Sequence, residues 1–173
     1  ELNFTHTRGN VTLGGAIFYT LFKQALIVDR YTFNGQDSIL YSGVKSAVYA
    51  TQNKAKAYVF GWSANAALKI TKQLQIDGTA TYTKGKYTDQ KGVQMPLDHI
   101  PPSFGKVSIK HTVTIWNVSI YGQFNGWKKM ADYNPNGEDN QQYATPEGMP
   151  SWFTLNAKLE LNMGKHWQSQ IAL

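Results

Sequence analysis

Lys56-Ala57-Tyr58-Val59-Phe60-Gly61-Trp62-Ser63-Ala64-Asn65-Ala66-Ala67-Leu68-Lys69-Ile70-Thr71 is the stretch that decides the fold. Its even positions are Tyr58, Phe60, Trp62, Ala64, Ala66, Leu68 and Ile70; the odd ones include Gly61, Ser63, Asn65, Lys69 and Thr71. In an extended strand alternate side chains point to opposite faces. One face is therefore apolar along its whole length and the other small and polar. A helical period of 3.6 does not fit this spacing.

The alternation continues in both directions. Leu74, Ile76, Gly78, Ala80 and Tyr82 oppose Gln73, Gln75, Asp77, Thr79, Thr81 and Thr83. Val107, Ile109, His111 and Val113 oppose Lys106, Ser108, Lys110 and Thr112, and Val118, Ile120, Gly122 and Phe124 oppose Asn117, Ser119, Tyr121 and Gln123. Phe153, Leu155, Ala157, Leu159 and Leu161 oppose Thr154, Asn156, Lys158 and Glu160, before a last segment bearing Trp167, Ile171 and Leu173. Upstream, Leu2 and Phe4 precede Val11, Leu13, Ile17, Tyr19 and Leu21, where Phe18 and Phe22 break the pattern. About eight antiparallel strands, most of them roughly 10 to 15 residues long, are predicted, longer than the 5 or 6 usual in soluble sheets and long enough to cross a bilayer at a tilt.

Short and long connections alternate. Arg8-Gly9-Asn10, Thr71-Lys72-Gln73, Ile115-Trp116-Asn117 and Gly164-Lys165 read as short turns. Residues 31–53, 88–102 and 132–150 read as long polar loops, with Asn34-Gly35 expected to turn a hairpin in the first. Short turns on one rim and long loops on the other are the outer-membrane arrangement. Aromatics gather at both ends: Tyr58, Phe60, Trp62, Tyr82, Tyr87, Trp152 and Phe153 by the long loops, Trp116 and Trp167 by the short turns. Two interfacial girdles are expected from them.

Bulk composition hides this pattern. Mean hydropathy is −0.40, and alternation dilutes apolar residues in every transmembrane barrel. Net charge is +6 among 173 residues, but the lysines are scattered and Lys128-Lys129 is their one tight pair. Nucleic-acid binding, which needs clustered charge, is disfavoured. With no cysteine, neither a disulfide framework nor a thiolate metal site is available.

Alternation alone fits a lipid-facing barrel or a soluble one with its apolar face inward. The polar face is mostly Gln, Asn, Thr, Ser and Gly rather than Lys and Glu, which suits a hydrated lumen. The long unbroken apolar face and the loop asymmetry point the same way. Tyr58, Phe60, Trp62, Leu68, Ile70, Leu155, Leu159 and Leu161 are thus expected to face lipid.

The segment Pro96-Leu97-Asp98-His99-Ile100-Pro101-Pro102 resembles the P-L-x-x-I-P-P element of TonB-dependent outer-membrane receptors. Ala80 to Lys86 looks like the strand end that precedes that element. Thr145-Pro146-Glu147-Gly148-Met149-Pro150-Ser151-Trp152 resembles the T-P-x-G-x-P-x-Y/W segment entering a late strand, and residues 53–61 are similar to an A-x-i-x-G strand of the same family. Together they are similar to its Bacteroidetes-type branch. The resemblance implies a barrel of about 22 strands around a plug, importing a scarce nutrient such as a ferric siderophore or haem with energy from TonB. It implies an outer-membrane location, with lipid, the rest of the barrel and its plug, TonB and a small-molecule nutrient as partners, and neither enzyme activity nor a resident cofactor. Residues 1–173 are then expected to form a partial transmembrane barrel without plug or closing strand. A complete small outer-membrane barrel with an adhesin or structural role, or a soluble barrel binding an apolar ligand, are the alternatives.

No catalytic constellation is visible. His6, His99, His111 and His166 lie far apart and do not read as a metal set, so no metal site is expected. Asp98, Asp132, Glu138, Asp139 and Glu147 read as solvated loop charges. Near the outer mouth Arg30, Trp127, Tyr133 and Tyr143 are the residues expected to touch a ligand.

Overall fold

The computed structural model describes residues 1–88, 92–136, 139, 141–163 and 167–173, with the backbone only at 54, 55, 163, 167 and 168. The expected turn at Gly164-Lys165, His166, Glu138 and the girdle side chain of Trp167 lie outside the described residues.

Among the described residues thirteen strands follow in order: β1 (Leu2–Arg8), β2 (Val11–Arg30), β3 (Ser38–Tyr41), β4 (Val44–Ala47), β5 (Tyr49–Lys69), β6 (Leu74–Thr88), β7 (Gln94–Pro96), β8 (Phe104–Thr112), β9 (Trp116–Asn125), β10 (Lys128–Lys129), β11 (Gly148–Met149), β12 (Trp152–Met163) and β13 (Trp167–Ala172). Eight of them form one antiparallel wall in the order β1-β2-β5-β6-β8-β9-β12-β13. β1 and β13 are its two edges and do not pair with each other, so a closed eight-stranded barrel is excluded among the described residues. Wherever the chain passes a long loop, the next wall strand is still the sequence neighbour, as an up-and-down wall requires.

Register carries the alternation across the wall. Leu2 pairs Ile17, Ile17 pairs Trp62, and Trp62 pairs Tyr82. Lower down Val11 pairs Leu68, Leu68 pairs Ile76, Ile76 pairs Ile109, and Ile109 pairs Ile120. The apolar parity of every strand therefore falls on one face. Since a slip of one residue would send each of these side chains to the other face, burial in lipid holds the register. On this face Phe4, Phe124 and Phe153 lie over Gly15, Gly105 and Gly122, ring carbons 2.5–2.7 Å from where a Cβ would stand. The rings cover the bare backbone that glycine leaves on a strand.

Several expectations are corrected. β2 has 20 residues and β5 has 21, beyond the anticipated length. At about 3.3 Å per residue and a tilt near 45°, such strands rise roughly 45 Å, against an apolar band of about 25 Å. Their upper parts, past the register shifts between Phe22 and Leu26, extend beyond the membrane as a hairpin. The first long loop is accordingly shorter and contains β3 paired with β4. That hairpin turns on Ser42-Gly43, with φ of 49° and 80°. Asn34-Gly35 has the same left-handed pair, 51° and 79°, but closes only the single bridge Phe33–Gln36. The turn expected at Ile115-Trp116-Asn117 falls earlier, since Trp116 and Asn117 already belong to β9 and the Val113 N–H donates to the Trp116 carbonyl.

Candidate ligand-facing mouth

The long loops fold over one face of the wall, the face of polar parity. Tyr87 pairs Ala57 and Met95 on the polar parity and is fully buried, packed with Ile27 and Ala57. Its hydroxyl donates to Asn134 Oδ1 at 3.5 Å and contacts Met95 Sδ at 3.2 Å. Asn134 comes from the β9–β12 connection, so that connection folds over the polar face. Among the described residues the apolar face has no such cover along β12, where Leu155 is 71% and Phe153 65% exposed. Tyr87 is thus a lumen residue and not a girdle aromatic. Trp152, opposite Asn125, also lies on the polar parity. The remaining described girdle residues keep the outward parity: Tyr58 lies 6.0 Å from Tyr19 and 6.3 Å from Phe60, and Trp62 lies 6.4 Å from Tyr82.

Below the mouth the lumen face carries hydrogen-bonded polar sets. The Asp77 carboxylate accepts from Gln75 at 2.5 Å and Ser108 at 3.4 Å and pairs Lys110 at 3.1 Å. Lys158 pairs Glu160 at 2.7 Å, and the Lys106 ammonium lies 3.9 Å from the Tyr121 ring centroid. These groups are satisfied in water, as a lumen provides, and would be costly against acyl chains.

The two motif segments build the rim. Pro96 pairs Lys86, and the Leu97 N–H donates to the Gly85 carbonyl. Leu97 and Ile100 methyls stand 3.0 Å from where a Gly85 Cβ would be, so glycine there seats the loop on β6. Pro101 and Pro102 continue past this seat into β8, beside Lys84 and Trp127, around a cavity of about 310 Å³. In the second segment Thr145 Oγ1 donates to the Gly148 carbonyl at 2.5 Å and the Gly148 N–H donates to the Thr145 carbonyl. Gly148 has φ of +107° and a Cβ there would stand on the Lys128 carbonyl oxygen, so only glycine fits. Pro146 lies within this turn.

One residue joins the two loops. Asp139, its side chain 4% exposed, accepts from the His99 N–H at 2.8 Å and pairs Lys128 at 2.8 Å. It was expected to be a solvated loop charge; burial and two partners correct that. Nothing in its sequence context, NGEDN, distinguishes it from the exposed acids around it.

The four mouth residues are not brought together. Arg30 ends β2, with its guanidinium 5.0 Å from the Tyr49 ring centroid. Trp127 is 47% exposed and donates to the Glu147 carbonyl. Tyr143 is 78% exposed in a 3-10 turn. Tyr133 is 5% exposed with the Lys128 ammonium 4.7 Å above its ring, so it braces the loop and is removed as a ligand contact. No group of three His, Asp or Glu side chains suited to a metal ion is found among the described residues.

An open wall of antiparallel strands with an apolar outer face, polar lumen face and loop-covered mouth defines a transmembrane β-barrel of the bacterial outer membrane. The chain belongs to the family described as TonB dependent receptor-like, beta-barrel, whose model matches residues 1–173. That membership overturns the soluble-barrel alternative. No curated protein matches the sequence. Among solved structures the fold is similar to that of the copper transporter OprC, with a TM-score of 0.71 and 10% identity. The match covers 97% of this chain and 23% of that one, so the chain spans about a quarter of that protein's length.

Proposed function

We propose that the chain forms part of the wall and outer mouth of a transporter that takes up a scarce nutrient across the outer membrane with energy from TonB. Family membership supports this reading, and the buried contact of the β9–β12 connection with Tyr87 carries it. A loop ordered over the lumen narrows the entrance and presents selected side chains there, which a purely structural wall does not need. The remainder of the barrel and a plug domain would complete the channel, and β1 and β13 are the edges where that remainder would join. The substrate proposed is a ferric siderophore or haem. Arg30, Trp127 and Tyr143 are the residues offered to it, a cation and two aromatics that suit an anionic, ring-bearing chelate.

The test is uptake by cells whose only receptor is this one, given labelled ferric siderophore, haem or copper, with and without a working TonB. Uptake of one of the first two that stops without TonB is the expected result. Uptake of copper alone would replace the substrate class while leaving the transport reading intact. Equal accumulation with and without TonB would overturn energised transport.

A further inference from the structure

Among the described residues two acceptors face the Tyr87 hydroxyl, which has one proton to give. Met95 Sδ lies 3.2 Å from its oxygen and Asn134 Oδ1 lies 3.5 Å away. Tyr87 and Asn134 are 0% and 3% exposed, so water does not compete for the contact. The Asn134 amide oxygen also accepts from the Asn136 N–H at 3.0 Å, which fixes its position. A thioether is a weak acceptor and an amide oxygen a full one. The proton therefore serves Asn134, although sulfur is the nearer atom, and ties the β9–β12 connection to β6.

Met95 is held less firmly than the pair it touches. It is the middle residue of β7, a strand of 3 residues that pairs the end of β6 at Lys86, Tyr87 and Thr88. The side chain is half-buried and packs on the Ile27, Ala57 and Tyr87 cluster beside Leu97. A small oxidant arriving from outside the cell can reach its sulfur, while Tyr87 behind it stays covered. Oxidation turns a flexible apolar side chain into a polar one.

We propose that the Met95 thioether is a site of oxidation by peroxide, and that its sulfoxide releases the loop held at Asn134. The sulfur lone pair attacks one peroxide oxygen, the O–O bond breaks, and an S–O bond forms. Sulfur gives up two electrons, and the second oxygen leaves with both protons as water. The new oxygen is a full acceptor on an atom already 3.2 Å from the Tyr87 hydroxyl. It takes the proton that Asn134 was using and leaves a buried amide oxygen with the Asn136 N–H as its remaining partner. It also sets a polar atom against Ile27, Ala57 and Leu97. Both effects loosen the connection, whatever nutrient the receptor imports.

The complete receptor in detergent, treated with graded hydrogen peroxide, tests this without substrate or TonB. Mass spectrometry reads the oxygen gained at each methionine, and hydrogen exchange reads the peptide holding Asn134 and Asn136. Exchange there should rise about tenfold as Met95 oxidises, the weight of one neutral hydrogen bond. Met149, 44% exposed on β11, and Met130, whose sulfur accepts from Gln141, serve as comparisons. The double variant Met130→Leu, Met149→Leu should keep the response, and Met95→Leu should lose it. If Met95→Leu does not fold, native receptor sorted by the extent of Met95 oxidation gives the same reading. Unchanged exchange with Met95 fully oxidised overturns the proposal. So does a Met95 that stays reduced while Met149 oxidises fully, or a response that persists in folded Met95→Leu.

Discussion

Leu68 and Asn65 sit three residues apart on β5 and separate the two environments. Leu68 faces outward between Val11 and Ile76, while Asn65 lies on the lumen face between Gly14 and Thr79. Leu68→Arg should cost about 2–4 kcal/mol if it falls near the bilayer midplane, and Asn65→Arg should be tolerated. Urea titration of folding into vesicles measures both; equal midpoints would invert the facial assignment. Gly148 makes a second prediction at this scale. Gly148→Ala places a methyl on the Lys128 carbonyl at a φ that L-residues avoid, a local cost of about 1–3 kcal/mol. Faster proteolysis within residues 126–151, with the wall still resistant, is the expected result.

Among elements, the connection between β9 and β12 depends on its partner loop. The Asp139 carboxylate binds the His99 N–H of the β6–β8 connection and Lys128 of its own. Asp139→Ala leaves the nearly buried Lys128 ammonium unpaired, which should cost about 3 kcal/mol. Hydrogen exchange at His99 and through residues 141–149 should then accelerate together, and exchange in one loop alone would contradict the coupling. This scale also marks what could be read from the chain. The wall strands and their facial parity were legible because period-two alternation is local and lipid enforces it everywhere. Tyr87 and Trp152 were misplaced because an aromatic near a strand end carries no parity mark once the alternation gives way to loop. Asp139 was missed for a different reason: its burial comes from a partner 40 residues away in the chain. Tyr133 read as a mouth residue because a tyrosine in a polar loop looks the same whether it faces the lumen or supports a lysine.

For the whole molecule, the two edges set the expectation. Among the described residues β1 pairs β2 alone and β13 pairs β12 alone. An exposed edge presents a row of unpaired N–H and C=O groups that lipid cannot satisfy. Every second amide of β1 and β13 should therefore be protected from exchange in the assembled receptor, through further strands of the same barrel. Rapid exchange at those amides in the membrane would show that these edges stay open. β8 pairs β6 only as far as Thr81, and the next rung above is the Leu97 N–H bond to Gly85, so the same ladder is also interrupted from within. A cylinder of continuous rungs shares any hoop stress evenly, but one with missing rungs concentrates it at the ends of the gap. With no β8 partner between Thr81 and the Leu97 N–H bond to Gly85, this is the part of the wall that changes in membrane tension should strain first.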